Sequence, residues 1–143
     1  MITRPRQYGK TTTLSQLYKN IKDKYKIIKI SFEGVGLRSF ESEETFCLII
    51  TEMFKKQFKK DKKILEKISR VKTMLELGYL ISEITEEDEM ILMIDEADKA
   101  ANNEVFIEFL GMLRALYLER EEELTTTFKS VILAGVYDVR GIC

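Results

Sequence analysis

The sequence predicts an α/β fold in three layers, αβα, around a mostly parallel sheet. Three observations carry that expectation. Gly9-Lys10-Thr11 stands directly before a helical pattern, with Leu14, Leu17, Tyr18 and Ile21 at i, i+3, i+4 and i+7. Met90-Ile91-Leu92-Met93-Ile94 is a continuous apolar run closed by Asp95-Glu96. That pattern suits a strand buried on both faces of a parallel sheet, with its carboxylates at the C-terminal end where ligands of open α/β sheets bind. Strand-like runs at 25–32 and 128–136 complete the set, with helical patterns between them.

The stretch Arg4-Pro5-Arg6-Gln7-Tyr8-Gly9-Lys10-Thr11-Thr12 reads as a phosphate-binding loop opening a helix. The general pattern is G-x-x-x-x-G-K-[ST], and Arg4 stands where its first glycine is expected. Gly9 lets the backbone approach a phosphate oxygen where a Cβ would collide. The N–H groups of the loop and of Lys10, Thr11 and Thr12 lack helical partners and can point at an anion. Lys10 brings a point charge to the β- and γ-phosphates, and the Thr11 hydroxyl is a small oxygen ligand for Mg²⁺. At the other motif, Asp95 would hold Mg²⁺, usually through water, and Glu96 would orient the attacking water. Lys10 and Glu96 are thus the expected catalytic residues, residues 4–12 the nucleotide cradle, and Thr11 with Asp95 the metal ligands.

With these blocks in view, the chain resembles bacterial AAA-like ATPases, P-loop proteins near the STAND and archaeal-type ATPases. The residues that carry the resemblance are Thr3 through Thr11, Ile30-Ser31-Phe32-Glu33-Gly34, Ile94-Asp95-Glu96-Ala97-Asp98, and Ser130-Val131-Ile132-Leu133-Ala134-Gly135-Val136-Tyr137-Asp138. They span nearly the whole chain in the expected order. The Arg-Pro-Arg opening is typical of that group, although it departs from the general P-loop rule. The resemblance implies a P-loop NTPase core, ATP and Mg²⁺ as ligands, and hydrolysis. With right-handed crossovers, it also implies the spatial strand order first, fourth, third, second.

Composition bounds the alternatives. The chain has 143 residues, 45% apolar and 33% charged, enough for one globular domain with a real core. A net charge of −1 gives no global field toward nucleic acid or an anionic membrane. No apolar run approaches a membrane span, and no signal peptide precedes the loop. With no histidine and two cysteines, His-dependent triads, His-ligated zinc and Cys₄ sites are excluded. Cys47 falls in the apolar pattern of a helix and reads as core. Nothing suggests a disulfide framework, so a reducing cytoplasm is expected.

The elements follow in order. Only Met1-Ile2-Thr3 precedes the loop, so the first strand is expected to be truncated and residues 1–143 to be an incomplete ATPase core, without lid or C-terminal regions. The first helix should run from about 10 to 24. The next strand, 25–32, has the mixed alternation of an edge. Gly34 and Gly36 mark a turn and stop three residues short of a dinucleotide fingerprint. Ser39 or Ser42 can cap the second helix, with Glu41, Glu43 and Glu44 in its first turn and Phe46, Ile49, Ile50, Met53 and Phe54 inward. Phe58, Ile64, Leu65 and Ile68 carry the helical pattern on through a lysine run at 55–63. That run could attract nucleic acid or an acidic partner, but it reads more simply as a solvated helix end. No aromatic residues alternate with the lysines as stacking platforms.

From about Thr73 a further helix turns Leu77, Leu80, Ile81 and Ile84 to one side, and Glu86-Glu87-Asp88-Glu89 forms an acidic loop. Asp95-Glu96-Ala97-Asp98 matches the four letters of RNA helicases, whose other motifs are missing. Asn102 or Asn103 should cap a long helix with Phe106, Phe109, Leu110, Leu113, Leu116 and Tyr117 inward. Arg114 or Arg120 on it is a candidate arginine finger toward a neighbouring subunit. The last strand is expected at 128–136, with no fifth strand after it. Its end usually offers a polar sensor; here Val136 follows Gly135, and Tyr137 and Asp138 are the nearest polar candidates.

Two functional readings follow. One is ATP binding with Mg²⁺-dependent hydrolysis. The other is a nucleotide-dependent switch with little turnover that docks a protein or DNA partner. A small-molecule kinase lacks an acceptor pocket and an arginine-rich lid. An oligomer formed through the ATPase domain is compatible with either reading.

Overall fold

The computed structural model describes residues 2–3, 10–135 and 138–141, with side chains described over 16–36 and 38–135. Their strands form one sheet with spatial order β1 (Ile2–Thr3), β5 (Asp138–Gly141), β4 (Ser130–Ala134), β3 (Met90–Asp95), β2 (Lys26–Ser31). Strands β2, β3 and β4 are parallel, in register from Lys26 opposite Met90 to Ser31 opposite Asp95, and from Ile91 opposite Ser130 to Ile94 opposite Leu133. The expected order of the first four strands is kept, and β2 lies at the edge of the described sheet, as its pattern suggested.

The expectation of no fifth strand is wrong. β5 folds back after β4 and inserts antiparallel between β4 and β1, pairing Leu133 with Arg140 and Thr3 with Asp138. Asp138-Val139-Arg140-Gly141 is too short and too charged to read as a buried strand. Hairpin pairing to a neighbour supplies what its own hydrophobicity does not.

Helix α1 (Lys10–Ile21) covers one face, where Leu17 and Ile21 pack with Ile27, Met93, Ile132 and Ala134. Helices α2 (Glu43–Lys55), α3 (Lys62–Ser69), α4 (Met74–Ile84) and α5 (Glu104–Glu121) build the larger core on the other face. Here the rings of Phe32, Phe46, Phe106 and Phe109 interlock, Phe32 meeting Phe106 edge-on at 5.4 Å and Phe46 meeting Phe109 at 5.3 Å. Edge-to-face aromatic pairs add about 0.5–1.5 kcal/mol each beyond the area they bury. Cys47 is fully buried in this core, as expected.

Local capping explains where the helices start. Ser42 and Thr45 form a reciprocal capping box on α2, and Thr73 and Glu76 form one on α4. Asn103 accepts from the N–H groups of Val105 and Phe106 to cap α5. The lysine run does not continue α2, contrary to the sequence expectation. The chain turns at 56–61, and Asp61 accepts from Ile64 N at 3.1 Å to start α3 afresh. Phe58, Ile64, Leu65 and Ile68 still reach the core, because the break redirects the chain rather than exposing it.

At its other end α5 closes with Leu124 N donating to Glu119 O and Glu123 N to Arg120 O. This paired closure puts Glu123 in the left-handed region (φ 61°), usually reserved for glycine. Thr126 Oγ1 donates to Ser82 O at 2.6 Å, and Thr85 Oγ1 bonds Thr126 Oγ1 at 3.1 Å. These bonds fasten the segment leading into β4 to the end of α4.

Candidate functional site

β3 is buried along its length and delivers Asp95, half-buried, to the C-terminal rim of the sheet. The backbone then turns abruptly. Glu96 adopts φ 57°, ψ 36°, a left-handed conformation uncommon for a residue with a Cβ. Asp95 Oδ1 accepts from Glu96 N at 2.9 Å and steadies that turn, while Asp95 O accepts from Phe32 N at 3.1 Å and ties it to the end of β2. A short 3₁₀ turn, Ala97–Ala100, follows, opened by Lys99 N donating to Glu96 O at 3.2 Å. Such backbone outliers cost roughly 1–3 kcal/mol and cluster where a side chain must be aimed.

Two contacts brace the rim beside this turn. A Cβ on Gly135, at the end of β4, would lie 3.3 Å from Asp98 Cβ and 3.4 Å from its Oδ1. A side chain there would require Asp98 to give by a few tenths of an ångström. On the other side, Asn103 Nδ2 donates to Phe40 O at 3.1 Å, linking the loop after β3 to the loop after β2. Neither the closeness of Asp98 to Gly135 nor the second bond of Asn103 stood out in the sequence. The only available signal was the position of Asp98 and Asn103 within eight of Asp95.

Lys10, Thr11 and Thr12 form the first turn of α1. The other end of α1 meets the start of β2, where Tyr25 N donates to Ile21 O at 2.9 Å. Lys26, the next residue, pairs with Met90 at the start of β3. A 12-residue helix is about 18 Å long, so α1 runs back along the sheet and its N terminus faces the rim that carries Asp95. The first turn of α1 and Asp95 therefore lie toward the same edge of the sheet. Arg4, Pro5, Arg6, Gln7, Tyr8 and Gly9 lie outside the described residues, as do Val136 and Tyr137; Asp138 begins β5.

Arg120, one of the two candidate arginine fingers, makes contacts within its own domain. Its guanidinium donates to Phe128 O at 2.8 Å, lies 4.8 Å from the Tyr117 ring centre and is 3.7 Å from Glu121. It is spent on holding the segment before β4 within its own domain. Arg114 is exposed on α5.

Asp95 brings a carboxylate to this rim, an oxygen ligand of the kind hard cations take. The sequence profile of the AAA-like domain matches residues 1–137 of the chain. No curated protein and no solved structure matches it at a significant level.

Proposed function

Because the chain belongs to the AAA-like domain family, a group of nucleotide-binding ATPase-like domains, we propose that it binds Mg·ATP on residues 4–12 at the rim and hydrolyses it. The observation that supports this most is the pair of carboxylates ending a buried strand at the edge where α1 begins. The backbone N–H groups at the start of α1 would receive phosphate oxygens, helped by the helix dipole. Lys10 would neutralise charge between the β- and γ-phosphates. Thr11 and Asp95 would hold Mg²⁺, which when bound supplies charge neutralisation on the phosphate oxygens. Glu96, aimed by its left-handed backbone, would orient the attacking water. No covalent intermediate is required; placement and electrostatics carry the step.

The test is single-turnover hydrolysis by the parent chain and Glu96→Gln, with nucleotide affinity measured on both. The reading expects Glu96→Gln to keep affinity within about threefold and to lose hydrolysis by at least about 100-fold. Equal rates would overturn hydrolysis through Glu96. With affinity intact, equal and negligible rates would favour the nucleotide-dependent switch instead.

A further inference from the structure

At the end of the sheet away from Asp95, the turn between α2 and α3 and the start of edge strand β2 enclose an open hollow of about 710 Å³. Six lysines line it: Lys26, Lys56, Lys59, Lys60, Lys62 and Lys63. A neighbouring hollow of about 370 Å³ shares Gln57 with it and adds Lys19 and Lys22 from α1 and Lys29 from β2, beside the exposed ring of Tyr18. The sequence separates these groups by up to 44 positions; the fold gathers them on one surface. None of them pairs with a carboxylate among the described residues. The one acid in the lining, Asp61, has an oxygen occupied in capping α3.

We propose that this surface binds the phosphate backbone of a nucleic acid, without reading its sequence. Lysines on an edge strand also keep that edge from pairing with another chain, but Lys26 and Lys29 suffice for that role. It leaves the lysines of the α2–α3 turn unexplained. Packing like charges together raises the energy of the free protein, and a polyanion removes that penalty. A duplex presents one negative charge per about 1.7 Å of axis, and flexible ammonium groups match it without fixed geometry. A protein partner would need apolar anchors at its centre. This lining offers little of that kind, since Phe58 is 4% exposed and lies under the Lys26 ammonium, 5.1 Å from its ring centre.

The acidic turn of Glu86, Glu87, Asp88 and Glu89 precedes β3 and borders the patch, where Lys26 N donates to Glu89 O. It would repel phosphate and confine the backbone to the β2 side. The surface is remote from the rim, so the inference does not rest on the nucleotide reading.

The test is fluorescence anisotropy of the full chain without ATP, using a labelled DNA duplex of about 20 base pairs and a single strand of equal length, between about 50 and 200 mM salt. Replacing Lys59, Lys60, Lys62 and Lys63 together with glutamine should weaken binding at least about tenfold and flatten the log–log salt slope by about 2–4. Lys19→Gln/Lys22→Gln/Lys29→Gln, on separate elements, should weaken it independently. Glu86→Gln/Glu87→Gln should tighten it. Unchanged affinity and slope in both lysine variants, with parental circular dichroism, would overturn the proposal. So would equal binding to polyglutamate or to anionic phospholipid vesicles.

Discussion

Asn103 connects the capping of α5 to the geometry of the rim, and its replacement separates the two. Its Oδ1 accepts from Val105 N at 2.9 Å and Phe106 N at 3.1 Å, while its Nδ2 donates to Phe40 O at 3.1 Å. Asn103→Ala removes all three bonds. Losing the cap costs about 1 kcal/mol, and losing the half-buried bond to Phe40 about 1 kcal/mol more. The expected total is about 2 kcal/mol, or a fall of about 6–8 °C in Tm for a domain of this size. Asn103→Ser keeps a good cap but cannot reach Phe40, so it should cost only about 1 kcal/mol. Urea and thermal denaturation followed by circular dichroism measure both. A serine variant as stable as the parent would refute the worth of the Phe40 bond. Alanine and serine variants of equal stability would refute the cap.

Other outcomes follow from single features. Glu123→Gly should stabilise the chain by about 0.5–1 kcal/mol, because glycine occupies the left-handed end of α5 without the Cβ penalty; a loss of stability would contradict the strain. Burial, with smaller contributions from Glu43 and Glu76, pushes the Cys47 thiol up from its ordinary 9.0 to about 11. In a Cys143→Ser background at pH 8, alkylation of the folded chain should therefore be about 100-fold slower than after unfolding. The same shift favours the protonated thiol in the fold, so its contribution to stability is complete below pH 9.0 and is lost as pH rises toward about 11. Phe106→Ala, in the centre of the ring cluster, should cost about 3–5 kcal/mol.

What could be read from the sequence was whatever rests on local pattern. The apolar run into Asp95-Glu96 announced β3, and the alternation at 25–32 announced an edge. Ser39 or Ser42, and Asn102 or Asn103, announced their helices by capping chemistry that acts within three residues, and Ser42 and Asn103 are the caps that form. What was lost depends on partners distant in the chain. β5 is a strand because β4 and β1 flank it, not because of its own residues. The turn at 56–61 hid beneath a helical apolar spacing, since Phe58 and Ile64 reach the same core from either side of the break. The bond from Arg120 to Phe128 O joins residues on either side of the close of α5 and had no local marker. At the rim, the position of Asp95 and Glu96 at the end of β3 was legible, but the left-handed backbone of Glu96 has no marker such as glycine or asparagine.

The central claim is that the first turn of α1 and the end of β3 serve one anion site. Isothermal titration of Mg·ATP into the parent chain, Lys10→Ala and Asp95→Ala tests it most directly. The account predicts saturable binding to the parent. At nucleotide about 100 times Kd, it also predicts stabilisation by about 2.7 kcal/mol. Lys10→Ala should lose tight binding whether or not Mg²⁺ is present, whereas Asp95→Ala should lose mainly the Mg²⁺-dependent part. Lys10→Ala binding Mg·ATP as the parent does would contradict it.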